Sequence, residues 1–173
     1  MSDLDVLLDI PLFSEFDSED LALLERVMEV RTHPKDFRFL EEGKRAGSMY
    51  AGMFVLLDGM VRVSASRPDG GYAVDKPMGM GSVFGMVALI DDGPRSASVE
   101  ALTPCTVAFL GKPGFETLYT SGMPVAARFQ RLLAKQMVSD LRYLGTLLQK
   151  AIQGDDSALI EAMSAKPDGA GSD

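Results

Sequence analysis

The stretch Gly81-Ser82-Val83-Phe84-Gly85-Met86-Val87-Ala88-Leu89-Ile90-Asp91-Asp92-Gly93-Pro94-Arg95-Ser96-Ala97-Ser98-Val99 decides how the rest of the chain is read. Its residues suggest a cradle for an anion. Gly85 lets the backbone come close to a guest, and a short helical turn from Met86 to Leu89 would point free N–H groups at it. Arg95, held by the preceding Pro94, can answer with a two-pronged charged contact. Ser96 adds a hydroxyl donor. Taken alone, Gly93-Pro94-Arg95-Ser96 fits a solvated loop between two strands equally well.

Outward from this stretch, Phe37 to Leu110 is built of short apolar runs separated by Gly, Pro and Asp. Phe37–Leu40, Phe54–Leu57, Val61–Ser64, Ala73-Val74, Ala97–Val99 and Thr106–Leu110 read as strands. Asp58-Gly59 and Asp69-Gly70 read as tight turns, where Gly accepts a positive φ. Short strands at this spacing predict a sandwich, jelly roll or small barrel.

Helical patterns flank that region. Leu4 to about Val30 reads as helical, with Asp17-Ser18-Glu19-Asp20 as its cap and acidic first turn, and Pro34 ends the segment. After Leu110, Phe115, Leu118 and Tyr119 form a short piece broken by Gly122. From Pro124 the chain runs without a breaker to about Ile152. Ala134, Met137, Leu141, Leu144, Leu148 and Ala151 alternate steps of three and four, with Leu133 and Leu147 beside them. Such a seam either packs on its own β domain or is shared with a second copy. The length of the stripe favours the homodimer.

The whole chain has 173 residues, 46% hydrophobic and 24% charged, the ordinary balance of a globular domain. Its net charge is −8, from 25 acidic against 17 basic residues, with no basic run. DNA or an anionic membrane as partner is therefore disfavoured, whereas a local pocket for one small anion is not. No run suffices to cross a bilayer, and residues 1–10 lack the basic start of a secretory signal, so a cytoplasmic location is expected. One histidine, His33, and one cysteine, Cys105, exclude a two-His metal site, an internal disulfide and a CxxC motif. His33 before Pro34 reads as a surface turn residue, Cys105 as a buried small side chain, and the methionines, including Met78 and Met80, as core filler. Glu41-Glu42 reads as structural, since neighbours on a strand face opposite ways.

With these residues in view, the chain resembles the cyclic nucleotide-binding domains, found in catabolite-activator-type regulators, kinase regulatory subunits and cyclic-nucleotide-gated channels. The resemblance spans about Leu4 to Ile152. It is carried by Ile10-Pro11-Leu12-Phe13, Glu42-Gly43, Leu57-Asp58-Gly59-Met60-Val61-Arg62-Val63, Gly79-Met80-Gly81-Ser82-Val83-Phe84-Gly85 and Pro94-Arg95-Ser96-Ala97. It implies a mainly β fold with flanking helices: a double-stranded β-helix, that is a jelly-roll-like β-roll of about eight strands, plus a long C-terminal helix. Arg95 matches the arginine that pairs with the cyclic phosphate, and Ser96 the hydroxyl beside it. Gly85, Val87 and Ala88 fall where backbone amides meet phosphate or ribose.

Three departures accompany the resemblance. Met86 stands where the family has a Glu that takes the ribose 2′-hydroxyl, and a thioether is a weak acceptor at best. The link Lys44–Gly52 is longer than usual; it reads as an elongated loop, or as a means of bringing Lys44 or Arg45 over the pocket. Residues 154–173 are too few and too acidic to fill a major groove.

The expected organisation is a β-roll with N-terminal helices over residues 1–122, a dimerisation helix over 123–152 and an acidic, largely disordered tail over 153–173. The expected function is a non-enzymatic sensor without a cofactor. It would bind a cyclic nucleotide or other small phosphate at Gly85, Met86, Val87, Ala88, Arg95 and Ser96, and signal through the long helix to a partner protein. Base contacts would come from Ser139, Arg142, Tyr143 or Thr146. Met86 motivates a second reading, a degenerate member serving as a dimerisation scaffold. In that reading Arg95→Ala leaves stability and partner binding unchanged, or destabilises modestly if Arg95 pairs with a nearby acid such as Asp91 or Asp92. An enzyme on a similar barrel would need several metal ligands, and one histidine outside the barrel makes that remote.

Overall fold

The computed structural model describes residues 4–45, 51–66, 72–91 and 93–152. The turn read at Asp69-Gly70, residues 46–50 of the long link, Asp92 and the tail from 153 lie outside the described residues, as do the side chains of Ala88, Leu147 and Ala151.

The N-terminal segment is not one helix. Leu4, Leu7, Ile10, Phe13 and Phe16 are all buried at a spacing of three, the period of a 3₁₀ rather than an α-helix. Two 3₁₀ turns, Asp5–Asp9 and Pro11–Phe13, accordingly precede α1, Ser18–Leu24. The Asp17 carboxylate accepts from the Glu19 and Asp20 amides, and the Asp20 carboxylate accepts in turn from the Asp17 amide, so the cap read in the sequence is a reciprocal capping box. Helix was also expected to continue to Val30; instead β1 occupies Met28–His33. Val30 and Thr32 are β-branched, and all six residues pair antiparallel with one neighbouring strand, which outweighs the helical spacing of Val27 and Met28.

Seven more strands follow: β2 Arg38–Leu40, β3 Gly52–Asp58, β4 Val61–Ser66, β5 Tyr72–Met78, β6 Val83–Phe84, β7 Ser98–Ala101 and β8 Cys105–Gly111. They form two four-stranded antiparallel sheets, ordered β1-β8-β3-β6 and β2-β7-β4-β5. Consecutive strands thus alternate between sheets except at β4–β5, the winding of a jelly-roll-like β-roll. Gly59, with φ +92, makes the turn between β3 and β4.

Strand β3 reads as an unbroken apolar run because both of its faces are covered. Met53, Val55 and Leu57 pack outward beneath the helices, while Phe54 and Leu56 point into the roll. Ala108 and Leu110 of β8 join the first layer, and Cys105, Val107 and Phe109 the second. Inside the roll, Phe84 stacks on Phe54 at 5.2 Å, and Phe39 meets both edge-on. This cluster anchors the start of the Gly85–Arg95 segment.

Two further helices complete the fold: α3, Lys112–Thr120, and α4, Pro124–Ile152. Val125, Phe129, Leu132 and Leu133 bury one face of α4 against the outer core, and Ala126 is buried beside them. Beyond Leu133 the helix leaves that core, and Met137, Val138, Leu141, Leu144, Leu148 and Ile152 are exposed. At its root α4 is clasped to the N-terminal segment. Arg128 bonds to Asp20, and Arg131 and Lys135 both bond to Glu15.

His33 is not in a turn. It ends β1, lies half-buried with its ring stacked on Phe37 at 3.9 Å, and leaves Nε2 buried without a hydrogen-bond partner among the described residues. Cys105 is buried, with its thiol against the carbonyls of Met60 and Thr103, and its pattern is that of a packed small side chain. Met80 is 58% exposed and so is not core filler.

Candidate functional site

The segment between β6 and β7 carries a helical turn, α2, Val87–Ile90, with Met86 at its N-cap. Gly85 just before it has φ +80, and a Cβ there would lie 2.8 Å from the Gly52 carbonyl oxygen. Glycine is thus required twice over, by conformation and by space. The Leu89 amide already donates to the Met86 carbonyl at 3.0 Å, whereas the amides of Val87 and Ala88, at the very start of α2, have no acceptor within the turn.

Arg95 is only 8% exposed and borders the same space. Its Nη1 donates to the Gly85 carbonyl at 2.9 Å, which ties the guanidinium to the turn opposite. The Arg95 backbone is pinned as well: its amide donates to the Lys44 carbonyl at 2.9 Å, and its carbonyl accepts from the Gly43 amide at 2.8 Å. Glu42 secures that bracket, since its amide donates to Ser98 Oγ and its carboxylate accepts from the Ser66 amide. The structural reading of Glu42 therefore stands. Desolvation pulls the Arg95 pKa down, the direction expected for a cation buried at the edge of an apolar wall.

These groups open on a cavity of about 340 Å³, within the range of small-molecule sites, roughly 300–1,000 Å³. Leu40, Val63, Met78, Val83 and Val99 form its apolar wall. Gly85, Met86, Val87, Arg95 and Ser96, five of the residues read from the sequence, border it together. Met86 is also 5% exposed and packed in the outer core, so the position offers the cavity a thioether flank and no carboxylate. Lys44 does not reach over the pocket; its Nζ pairs with Glu41 at 2.8 Å, both exposed.

The α4 side of the cavity was only partly anticipated. Ser139 and Tyr143 border it, whereas Arg142 and Thr146 do not; Gln136, Asp140 and Leu144 complete the stripe. Positions 136, 139, 140, 143 and 144 fall on one helical face. Lys76 was not anticipated at all. It is 6% exposed, borders the cavity from β5 and sets Nζ 4.6 Å from the centre of the Tyr143 ring. The available signal was the period of two along β5, which places Lys76 beside Met78 and opposite Val63 on the inward face. Burial depresses the Lys76 pKa, and Asp140 opposes that shift. Asp140 stands exposed on α4; partial desolvation at the cavity rim raises its pKa, while the Gln136 amide, 2.9 Å from its Oδ1, and Lys76 work against the rise.

Among the described residues, no group of three or more His, Cys, Asp or Glu could hold a metal ion, and no helix is long and apolar enough to cross a membrane.

Comparison with known proteins gives one answer. The family model of the cyclic nucleotide-binding domain matches residues 35–121. A cAMP-dependent protein kinase regulatory subunit of Debaryomyces hansenii is 32% identical over 114 residues, 66% of this chain and 24% of that protein. A cyclic nucleotide-gated potassium channel of Mesorhizobium japonicum is 30% identical over 125 residues, 70% of this chain and 31% of that one. The chain thus spans about a quarter to a third of the length of these curated relatives. Among solved structures, a cyclic nucleotide-binding domain from Methylobacillus flagellatus has 26% identity and a TM-score of 0.69, covering 80% of this chain and 76% of that one. The Thermus thermophilus catabolite activator protein, at 21% identity and a TM-score of 0.64, covers 92% of this chain and 82% of its own, a likeness of fold. With the β-roll, the Gly85 turn and the buried Arg95 in place, the chain belongs to the cyclic nucleotide-binding domain family.

Proposed function

We propose that the chain is a non-enzymatic sensor that binds a cyclic nucleotide and passes its occupancy to a partner protein through α4. The phosphate would pair with Arg95 and Ser96 and accept from amides between Gly85 and Ala88. The observation that carries this reading is the buried Arg95 guanidinium, held by the Gly85 carbonyl at the edge of a cavity whose other side is α4. A ligand there would touch the anion cradle and the output helix at once, so its binding energy can bias the helix position.

The proposal keeps the division into a β-roll over 1–122, a helix over 123–152 and a tail over 153–173. Self-association belongs to it too. The exposed seam of Met137, Leu141, Leu144 and Leu148 repeats at coiled-coil spacing on a helix that has already left its own core. A homodimer through α4 covers that stripe. The net charge of −8 supports a small anionic ligand rather than DNA or an acidic membrane, and the family's regulatory members support a cytoplasmic setting.

Isothermal titration calorimetry of the full chain with cyclic AMP and cyclic GMP tests the reading. Saturable heat with at least one nucleotide, lost in Arg95→Ala with the circular dichroism spectrum unchanged, supports it. Absence of heat with both refutes it. Met86 favours a second reading, a dimerisation scaffold without ligand, because the buried thioether leaves the ribose hydroxyl without a strong acceptor.

A further inference from the structure

The phosphate contact leaves the Lys76 amine unused. Lys76 is buried in β5, borders the cavity and sets Nζ over the face of the Tyr143 ring. No carboxylate among the described residues lies within ion-pair distance of that nitrogen. An ammonium stripped of water without a close counter-ion has lost much of what holds its proton, and desolvation depresses the Lys76 pKa accordingly. The free base is a nucleophile, the state that condensation with a carbonyl requires.

Two neighbours complete the chemistry. Asp140 stands at the cavity rim, near enough for its charge to act on Lys76, and desolvation raises its own pKa. A carboxyl group so placed can carry protons between solvent and cavity. The Tyr143 hydroxyl is buried and has no hydrogen-bond partner among the described residues, which makes it a donor for a carbonyl oxygen. Arg95 and Ser96 border the same space, with Asp91 as a further acid on its lining. Nucleophile, proton carrier, oxygen donor and anion cradle together describe a guest with both a phosphate and a carbonyl.

We infer that Lys76 forms a reversible imine with a phosphorylated aldehyde seated in this cavity, a covalent reaction that shares the Arg95 cradle with nucleotide binding and goes beyond it. The neutral Nζ adds to the carbonyl carbon to give a carbinolamine. Asp140 in its acid form protonates the hydroxyl, which leaves as water, and its carboxylate then takes the proton that the nitrogen sheds. Amine and aldehyde enter, imine and water leave, and no oxidation state changes.

Pyridoxal 5′-phosphate is a suitable probe, with unphosphorylated pyridoxal as its control. The full chain is incubated with each near neutral pH and reduced with borohydride. Peptide mass spectrometry then reads modification at Lys76 and at the exposed Lys35. With the phosphorylated probe Lys76 should react at least about tenfold faster than Lys35, the gain in free base that modest desolvation gives. The ratio to Lys35 cancels the two probes' different intrinsic reactivities, and with pyridoxal it should shrink. Arg95→Ala should lower the ratio for the phosphorylated probe to the value that pyridoxal gives. The comparison of probes on the wild-type chain decides even where that variant does not fold. An ammonium kept charged over Tyr143, as a strut between β5 and α4, would react more slowly than Lys35. That result, or one ratio for both probes, overturns the inference and leaves the nucleotide reading standing. Calorimetry that shows no cyclic nucleotide binding removes the nucleotide reading and leaves a Lys76 imine untouched.

Discussion

Arg95 and Gly85 form one unit: the guanidinium donates through Nη1 to the glycine carbonyl at 2.9 Å, across the mouth of the turn that opens α2. The bond fixes a long, flexible side chain before any guest arrives, so less rotamer entropy remains to be lost on binding. It also makes Gly85 sensitive. Alanine at position 85 must adopt φ near +80 with its Cβ 2.8 Å from a backbone oxygen. The left-handed conformation alone costs about 1–2 kcal/mol. Gly85→Ala is expected to lower the unfolding free energy measured in urea by at least that much, with a lower midpoint, and to weaken nucleotide binding. An unchanged midpoint would show that the turn relaxes freely.

Met86 allows a gain-of-function test. Met86→Glu adds an acceptor at the position where related domains carry a glutamate. A hydrogen bond to a charged partner contributes about 1.5–3 kcal/mol, so calorimetry should show cyclic nucleotide affinity rising about tenfold or more. The same change places a carboxylate beside the outer core, so the denaturation midpoint should fall. A scaffold that has lost its ligand would show the second effect without the first.

The clasp between the N-terminus and α4 should depend on Asp20. Its side chain is buried, completes the capping box and receives Arg128. Asp20→Ala should cost about 1–3 kcal/mol in chemical denaturation. In a double-mutant cycle with Arg128→Ala the two losses should add to more than the double variant shows, because each single change strands a partner. Strict additivity would mean that the pair does not interact in solution.

Acid should weaken the fold in two windows. Burial, helped by the nearby Arg31 charge, holds the His33 pKa below its ordinary 6.5. The unfolded chain therefore takes up that proton first, and stability falls as pH drops from about neutral through the folded-state value. Glu15, held below its ordinary 4.5 by its bonds to Lys135 and Arg131, supplies the second. Its contribution is present above the ordinary carboxylate range and disappears as pH falls through the depressed value. That ion pair lies at the solvent-exposed surface, so added salt should shrink the second window more than the first. Thermal melts of wild type and His33→Gln across pH check both: His33 is the only histidine, and the upper window should vanish in that variant.

The α4 seam should hold a dimer. Leu141 is 67% exposed and Leu148 62% exposed in the single chain. Leu141→Glu with Leu148→Glu should convert a dimer to a monomer in sedimentation velocity, with helix content retained. A monomeric wild-type chain at high micromolar concentration would remove self-association from the account.

What could be read from the sequence follows the strength of each local signal. Strands β3 and β8 declare themselves because burial on both faces demands continuous apolar runs, and the Asp17 box announces α1. The N-terminal period of three was present in Leu4, Leu7, Ile10, Phe13 and Phe16, but it lies close enough to 3.6 to pass for an α-helix. Strand β1 is specified by its pairing with β8, a long-range contact that local spacing does not encode. Of the site, Gly85, Arg95 and Ser96 stand in one contiguous segment and were legible together. Lys76 and Asp140 lie far apart in sequence, and only the roll and α4 bring them to one cavity. A lysine in a strand reads as solvent-facing until the wall behind it is known.

The most direct test is to follow the Arg95 guanidinium and the amides of Gly85, Val87 and Ala88 by nitrogen-15 NMR while cyclic AMP and cyclic GMP are titrated, each in turn, into the full chain, and to read the nucleotide that binds. The account predicts saturable shifts at all four groups with one common affinity, accompanied by shifts along α4 from Gln136 to Leu144. A titration that leaves the Arg95 side-chain signal unmoved, whatever else responds, would contradict it.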